Sequence, residues 1–197
     1  YTRVGQVRNS GGQKPIVGVM GCVAQLEGEL LLESNRGIDF VLGTKAVGRV
    51  DLAIERVIRK EKKVLDLGER DEDYDWTVSE KQRQSPYIAF LPIIEGCNKF
   101  CTYCIVPFSR GREKSLPAAE IIRQVLELRR KGIKEVHLIG QNVNSKRTKT
   151  DVGLELFQGA TPFTLLLRVV AATGIERIKF ATSFPRDLHL DIVKAID

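Results

Sequence analysis

Two apolar rhythms alternate along the chain: short unbroken runs of strand length, and amphipathic stretches of helical length. Residues 15–21 (PIVGVMG) read as a buried parallel strand, 24–35 as a helix, 38–42 as a second strand and 47–59 as a second helix, with a further short strand at 63–67. The stretch 69–85 turns acidic and polar around Asp71, Glu72 and Asp73, and reads as a linker to which Trp76 belongs. From Tyr87 the rhythm restarts. The run 87–94 (YIAFLPII) predicts a strand, 117–131 a helix, 135–139 a strand, 164–172 a helix, 177–182 a strand and 188–196 the start of another helix. The helix over 117–131 has Ser115 as its expected N-cap, Pro117 near N1, Glu120 in the first turn, Arg129, Arg130 and Lys131 at its basic end, and Gly132 as C′. Residues 146–161 are polar and contain glycine, which predicts a mobile loop.

Repeated β-α units predict an α/β fold class: a parallel-sheet N-terminal domain over residues 1–80, followed over 81–197 by the first units of a β/α barrel. In such sheets ligands sit at the C-terminal ends of the strands. The first strand opens early and the chain does not start with Met, so the sequence is expected to be a piece of a longer protein.

Composition narrows the class. With 197 residues, 43% hydrophobic and 28% charged, the chain buries a real core and is not intrinsically disordered. Its apolar runs fall far short of the roughly 20 residues of a membrane span, and no segment reads as a secretory signal, so no membrane partner and a cytoplasmic location are expected. Charge is uneven. Residues 1–86 carry 14 Lys+Arg against 14 Asp+Glu, whereas residues 97–150 carry 12 against 4. A localised basic stretch suits a polyanion such as nucleic acid, and equally a solvated face.

Chemistry concentrates in the cysteines. Cys97, Cys101 and Cys104 form a C-x3-C-x2-C spacing directly after a strand, while Cys22 stands alone upstream. A disulfide scaffold spreads its cysteines through a small secreted domain, unlike this chain. Structural zinc needs four ligands, and His137 is the nearest downstream candidate, 33 residues past Cys104. Iron-sulfur cubanes are held by cysteines, and three of them leave one iron open to a small molecule.

The segment EGCNKFCTYCIVPFSRGRE resembles the cluster motif of the radical S-adenosylmethionine (SAM) superfamily, most closely its methylthiotransferases. The resemblance implies that Cys97, Cys101 and Cys104 bind a [4Fe-4S] cluster whose fourth iron is chelated by SAM, that Tyr103 lies near the adenine, and that SAM is cleaved to a 5′-deoxyadenosyl radical. The setting of Cys22, VMGCVAQ, is similar to the third cysteine of the methylthiotransferase N-terminal domain, which with two earlier cysteines binds an auxiliary [4Fe-4S] cluster. Those two are missing from this sequence. The segment Gly140–Asn144 (GQNVN) resembles that of the MiaB-type enzymes, which methylthiolate N6-isopentenyladenosine next to the anticodon of tRNA. There Gln141 and Asn142 are expected to bind SAM or substrate, or else to satisfy turn backbone.

The implied partners are the tRNA anticodon stem-loop and an electron donor such as flavodoxin or ferredoxin. Arg110, Arg112 and Lys114 suit an oxyanion or a solvated loop. Phe184 stands where the family more often has a His, so it inherits no role, and His189 is expected on a surface helix. Two alternatives remain at the level of sequence: a sibling radical enzyme acting on threonylcarbamoyladenosine or on a ribosomal-protein aspartate, and a non-catalytic metal-stapled RNA-binding module.

Overall fold

The computed structural model describes residues 2–9, 14–34, 37–68, 83, 85–146 and 160–196. Trp76 and most of the stretches read as linker and mobile loop lie outside the described residues. The chain divides into two compact units: residues 1–74 with 100–111, and residues 75–99 with 112–197.

The first unit holds α1 (Thr2–Arg8), β1 (Gly18–Met20), α2 (Cys22–Ser34), β2 (Phe40–Leu42), α3 (Val50–Ile58), β3 (Val64–Asp66) and α4 (Val106–Ser109). Its strands form a parallel sheet in the order β1-β2-β3, with Gly18, Phe40 and Val64 in register. The central strand β2 is buried on both faces. Ala24, Leu31, Ile38 and Val41 pack into one cluster, and Phe40, Leu42, Ala46, Ala53 and Val64 into another. The strands are shorter than the apolar runs suggested. Helix α1 was not expected; Arg8 fastens it by donating to the carbonyls of Gly37 and Pro15 at 2.9 and 3.0 Å and to Asp39 Oδ2 at 2.6 Å. Helix α2 kinks at Gly28, whose φ of 42° and ψ of −115° suit glycine.

The second unit holds β4 (Ile88–Pro92), β5 (Ile94–Glu95), β6 (Lys114–Ser115), α5 (Ala118–Arg130), β7 (Glu135–Ile139), α6 (Pro162–Ala172), β8 (Arg177–Phe180) and α7 (Leu190–Ile196). Strands β4, β7 and β8 form a parallel sheet in that order, with Leu91, Leu138 and Phe180 in register. Ala89, Leu91, Val136 and Leu138 face a core with Ile121, Val125 and Leu128 of α5 and Phe163, Leu166 and Val170 of α6. Alternate residues turn to the opposite face, where Phe90 and His137 meet edge-on at 4.7 Å. At that face Glu135 bonds His137 and lies 2.7 Å from Arg177, and these hydrogen bonds hold its carboxyl below the ordinary range.

Four expectations need correction here. The run 87–94 is not one strand. At Ile93 the backbone leaves the sheet, donating to the carbonyl of Ile139 and accepting from Leu116 N–H, each at 2.9 Å, and Ile94–Glu95 then pairs antiparallel with Lys114–Ser115. Ser115 is therefore a strand residue, and Pro117 is the N-cap of α5, with no side-chain cap. The C-terminus of α5 follows expectation as a Schellman motif: Gly132, at φ 86°, donates to Arg129 and Ile133 donates to Leu128. The strand expected over 177–182 ends at Phe180, because Thr182 takes φ 64°, outside the β region. The helix expected over 188–196 begins at Leu190, after a 310 turn Pro185–Asp187, with His189 exposed just before it. Among the described residues no helix is long and apolar enough to cross a membrane.

Candidate functional site

At the C-terminal ends of its parallel strands, the second unit assembles a hydrogen-bonded mouth. Cys97 follows β5 and is 9% exposed. Directly before it, Gly96 at φ 74° donates its N–H to Gln141 Oε1 at 2.7 Å. Gly140, at the exit of β7, allows this approach: a Cβ there would lie 2.6 Å from the carbonyl oxygen of Ile94. The Thr182 hydroxyl donates to the Gly140 carbonyl at 2.5 Å, drawing the exit of β8 onto that of β7.

Asn142 is 2% exposed and committed within the unit. Its Nδ2 donates to Asp187 Oδ2 at 2.9 Å, and its Oδ1 accepts from Phe184 N–H at 3.0 Å. The Asn142 side chain is thus engaged by backbone and carboxylate, in keeping with the second of the two roles expected of it, that of satisfying local backbone. Gln141 is half-buried, and among the described residues its side chain bonds through Oε1, leaving the amide NH2 for a ligand.

Asn144 joins the same network, accepting from Phe184 N–H at 3.0 Å and donating to the Phe184 carbonyl at 3.1 Å. Asp187 also pairs with Lys99 Nζ at 2.6 Å. Asn144, Asp187 and Lys99 were missed by sequence reasoning. Each is a polar residue at a strand exit, and that was the available signal.

In the first unit the strand exits carry Cys22 and a glutamine clamp. Gly21, at φ 103°, links β1 to Cys22 at the start of α2. Gln25 Oε1 accepts from Thr44 N–H at 3.0 Å, and the Thr44 hydroxyl donates to the Ser109 carbonyl at 3.0 Å, fastening α4. Cys101 and Cys104 belong to this unit, half-exposed, with Cys104 N–H donating to the Cys101 carbonyl at 2.9 Å. Tyr103 is 89% exposed, and Phe100, at φ 47°, packs edge-on against Phe108 at 5.9 Å. Arg110 and Lys114 are half-buried and Arg112 is exposed.

All four cysteines are free thiols. Among the described residues no group of three or more His, Cys, Asp or Glu is arranged to hold a metal ion. The donor set within the C-x3-C-x2-C loop is thiol alone. Soft thiolates suit iron-sulfur clusters, whose ligands attach to separate irons rather than converging on one ion. By donor chemistry, the residues present fit such a cluster.

Comparison with known proteins agrees with this chemistry. Residues 91–194 match the family model described as the Radical SAM superfamily. The chain is 43% identical over all 197 residues to the tRNA-2-methylthio-N(6)-dimethylallyladenosine synthase of Thermotoga petrophila, and covers 42% of that protein. Its counterpart from Thermosipho melanesiensis is 41% identical over the same 197 residues, which cover 43% of it. That of Shewanella oneidensis is 40% identical over 179 residues, 90% of this chain and 36% of the relative. The chain thus spans about two fifths of the length of the curated relatives it matches. The chain belongs to the radical SAM superfamily, and the members it resembles along its whole length are the MiaB-type methylthiotransferases.

Proposed function

We propose that this chain is part of a radical SAM methylthiotransferase that adds a methylthio group to C2 of N6-isopentenyladenosine next to the anticodon in tRNA. The observation that carries the reading is the all-thiol C-x3-C-x2-C loop that follows β5, in a chain alike over its whole length to synthases of that name. Residues 1–80 would serve as most of the auxiliary-cluster domain, with Cys22 as one ligand, and residues 81–197 as the first units of the radical SAM domain.

Cys97, Cys101 and Cys104 would hold a [4Fe-4S] cluster and leave one iron for SAM. When bound, the cluster supplies the electron that lets SAM yield a radical able to attack an unactivated C–H bond. The chain's own residues bind and orient. Gln141 braces the backbone before Cys97 through its carbonyl oxygen and offers its amide NH2 to the SAM amino-acid group. Asn142 acts one step back, fixing Asp187 and the Phe184 backbone. Tyr103 offers an exposed ring to the adenine. The basic stretch 97–150 suits the tRNA phosphates, with the target base splayed from its stack, in the cytoplasm where tRNA is found. An electron donor such as flavodoxin or ferredoxin would supply electrons.

The test is anaerobic reconstitution with iron and sulfide. A broad iron-sulfur absorbance perturbed by SAM, with 5′-deoxyadenosine formed by the parent and none by Cys101→Ala, is the expected result. 5′-Deoxyadenosine formation retained in Cys101→Ala would overturn the assignment, and tight zinc binding without a SAM response would support the stapled RNA-binding module.

A further inference from the structure

Asp187 ties the loop after Cys97 to the other strand exits of its unit. It is 8% exposed, and its two carboxylate oxygens lie 2.8 and 2.6 Å from Lys99 Nζ, while Asn142 Nδ2 donates to Oδ2 at 2.9 Å. Lys99 stands two residues past Cys97, inside the three-cysteine loop. Its ammonium also lies 5.2 Å from the centre of the Phe184 ring, and the Phe184 N–H is fixed by Asn142 and Asn144. One buried carboxylate therefore joins three strand exits.

A largely buried ion pair costs desolvation, and an apolar pair of like volume holds two segments together about as well. What the ionic version adds is charge control. Lys99 would otherwise place an uncompensated positive charge in the loop that carries the thiolates. Reduction adds an electron, which a nearby positive charge favours and a nearby negative charge opposes.

We propose that Asp187 is a positioning residue that clamps the Cys97 loop through Lys99 and, by compensating the Lys99 charge, sets the reduction potential of the cluster held there. The inference rests on the reading of Cys97 as a cluster ligand.

The test compares the parent chain with Asp187→Asn and Lys99→Met in two measurements. In metal-free chain whose Cys22, Cys101 and Cys104 are replaced by Ser, the rate at which a maleimide modifies Cys97 reports the clamp. Both variants should react about tenfold faster, the factor expected when one charge-assisted hydrogen bond is lost. In the reconstituted chain, redox titration followed by electron paramagnetic resonance reads the potential. Asp187→Asn should move it to more positive values and Lys99→Met to more negative ones. A merely structural role would loosen both variants alike and cannot produce shifts of opposite sign.

Shifts of the same sign, or unchanged Cys97 labelling in both variants, would overturn the proposal. Should Asp187→Asn fold poorly, Lys99→Arg keeps the charge and should hold the parent potential while Lys99→Met lowers it; equal potentials in those two overturn the charge role. If the parent takes up no cluster, the functional reading fails separately, and the labelling rates alone decide whether Asp187 clamps the loop.

Discussion

Replacing Gly140 by Ala tests the packing on which the strand mouth depends. The added Cβ would lie 2.6 Å from the Ile94 carbonyl oxygen, 3.0 Å from Ile94 Cγ2 and 3.1 Å from Ile94 Cβ. The nearest of these is backbone, so relief requires β5 and the exit of β7 to separate until the 2.6 Å contact opens to an ordinary ~3.4 Å. Overpacking of this kind costs about 1–3 kcal/mol, offset by about 0.4–1 kcal/mol from the stiffer unfolded chain. A net loss of about 1–2 kcal/mol is expected. With m near 2 kcal/mol/M, the urea midpoint of the second unit falls by about 0.5–1 M. Gly48→Ala makes the same chemical change where a Cβ meets nothing within 4 Å, and should leave the first unit as stable or slightly more so. The assay is urea unfolding followed by circular dichroism for parent and both variants. A Gly140→Ala midpoint equal to the parent's would refute the claim that the start of β5 and the exit of β7 are in hard contact.

Leu138→Ala removes a fully buried side chain from the core between the sheet and its helices, and should cost about 2–5 kcal/mol, read as a lowered urea midpoint with unchanged slope. Acid sensitivity should trace in part to Glu120, whose hydrogen bonds from Arg123 and then Gln124 hold its carboxyl down to about 2. A depressed carboxyl stabilises the fold above its unfolded value of about 4.3, and that contribution is lost as pH falls from there toward 2. The site is partly solvated, so Glu120→Gln should flatten acid unfolding in this window by only about 0.5 kcal/mol, a difference measurable by pH titration of the urea midpoint. Gly132→Ala forces a side chain into the left-handed region at φ 86° and should destabilise the C-terminus of α5 by about 1 kcal/mol, seen as faster amide exchange in its last turn.

The parallel α/β character of both units was legible in the sequence. Each parallel strand packs at least one face against a core and each intervening helix must cover a sheet, so apolar runs and amphipathic stretches alternate in the order the fold uses. The boundaries of β7 were read without error, because Glu135 and Ile139 are bracketed by the Gly132 cap and by Gly140. The C-x3-C-x2-C spacing was equally legible, since its three cysteines lie within eight residues of sequence.

Tertiary structure decided what depends on partners distant in sequence. The split of the run 87–94 at Ile93 is invisible locally, because the carbonyl of Ile139 and the N–H of Leu116 that divert it lie in other elements. The early end of β8 rests on a Thr182 hydroxyl that reaches Gly140, 42 residues away. For Asn142 the sequence left two readings, an amide that binds a ligand or one that satisfies turn backbone, and the fold surrounds it with Asp187 and the Phe184 backbone. The pattern of apolar positions records what each residue must hide from water. Which polar groups meet once that is done is decided by how the elements pack, and at the strand mouth packing turned Asn142, Asn144, Lys99 and Asp187 into one network.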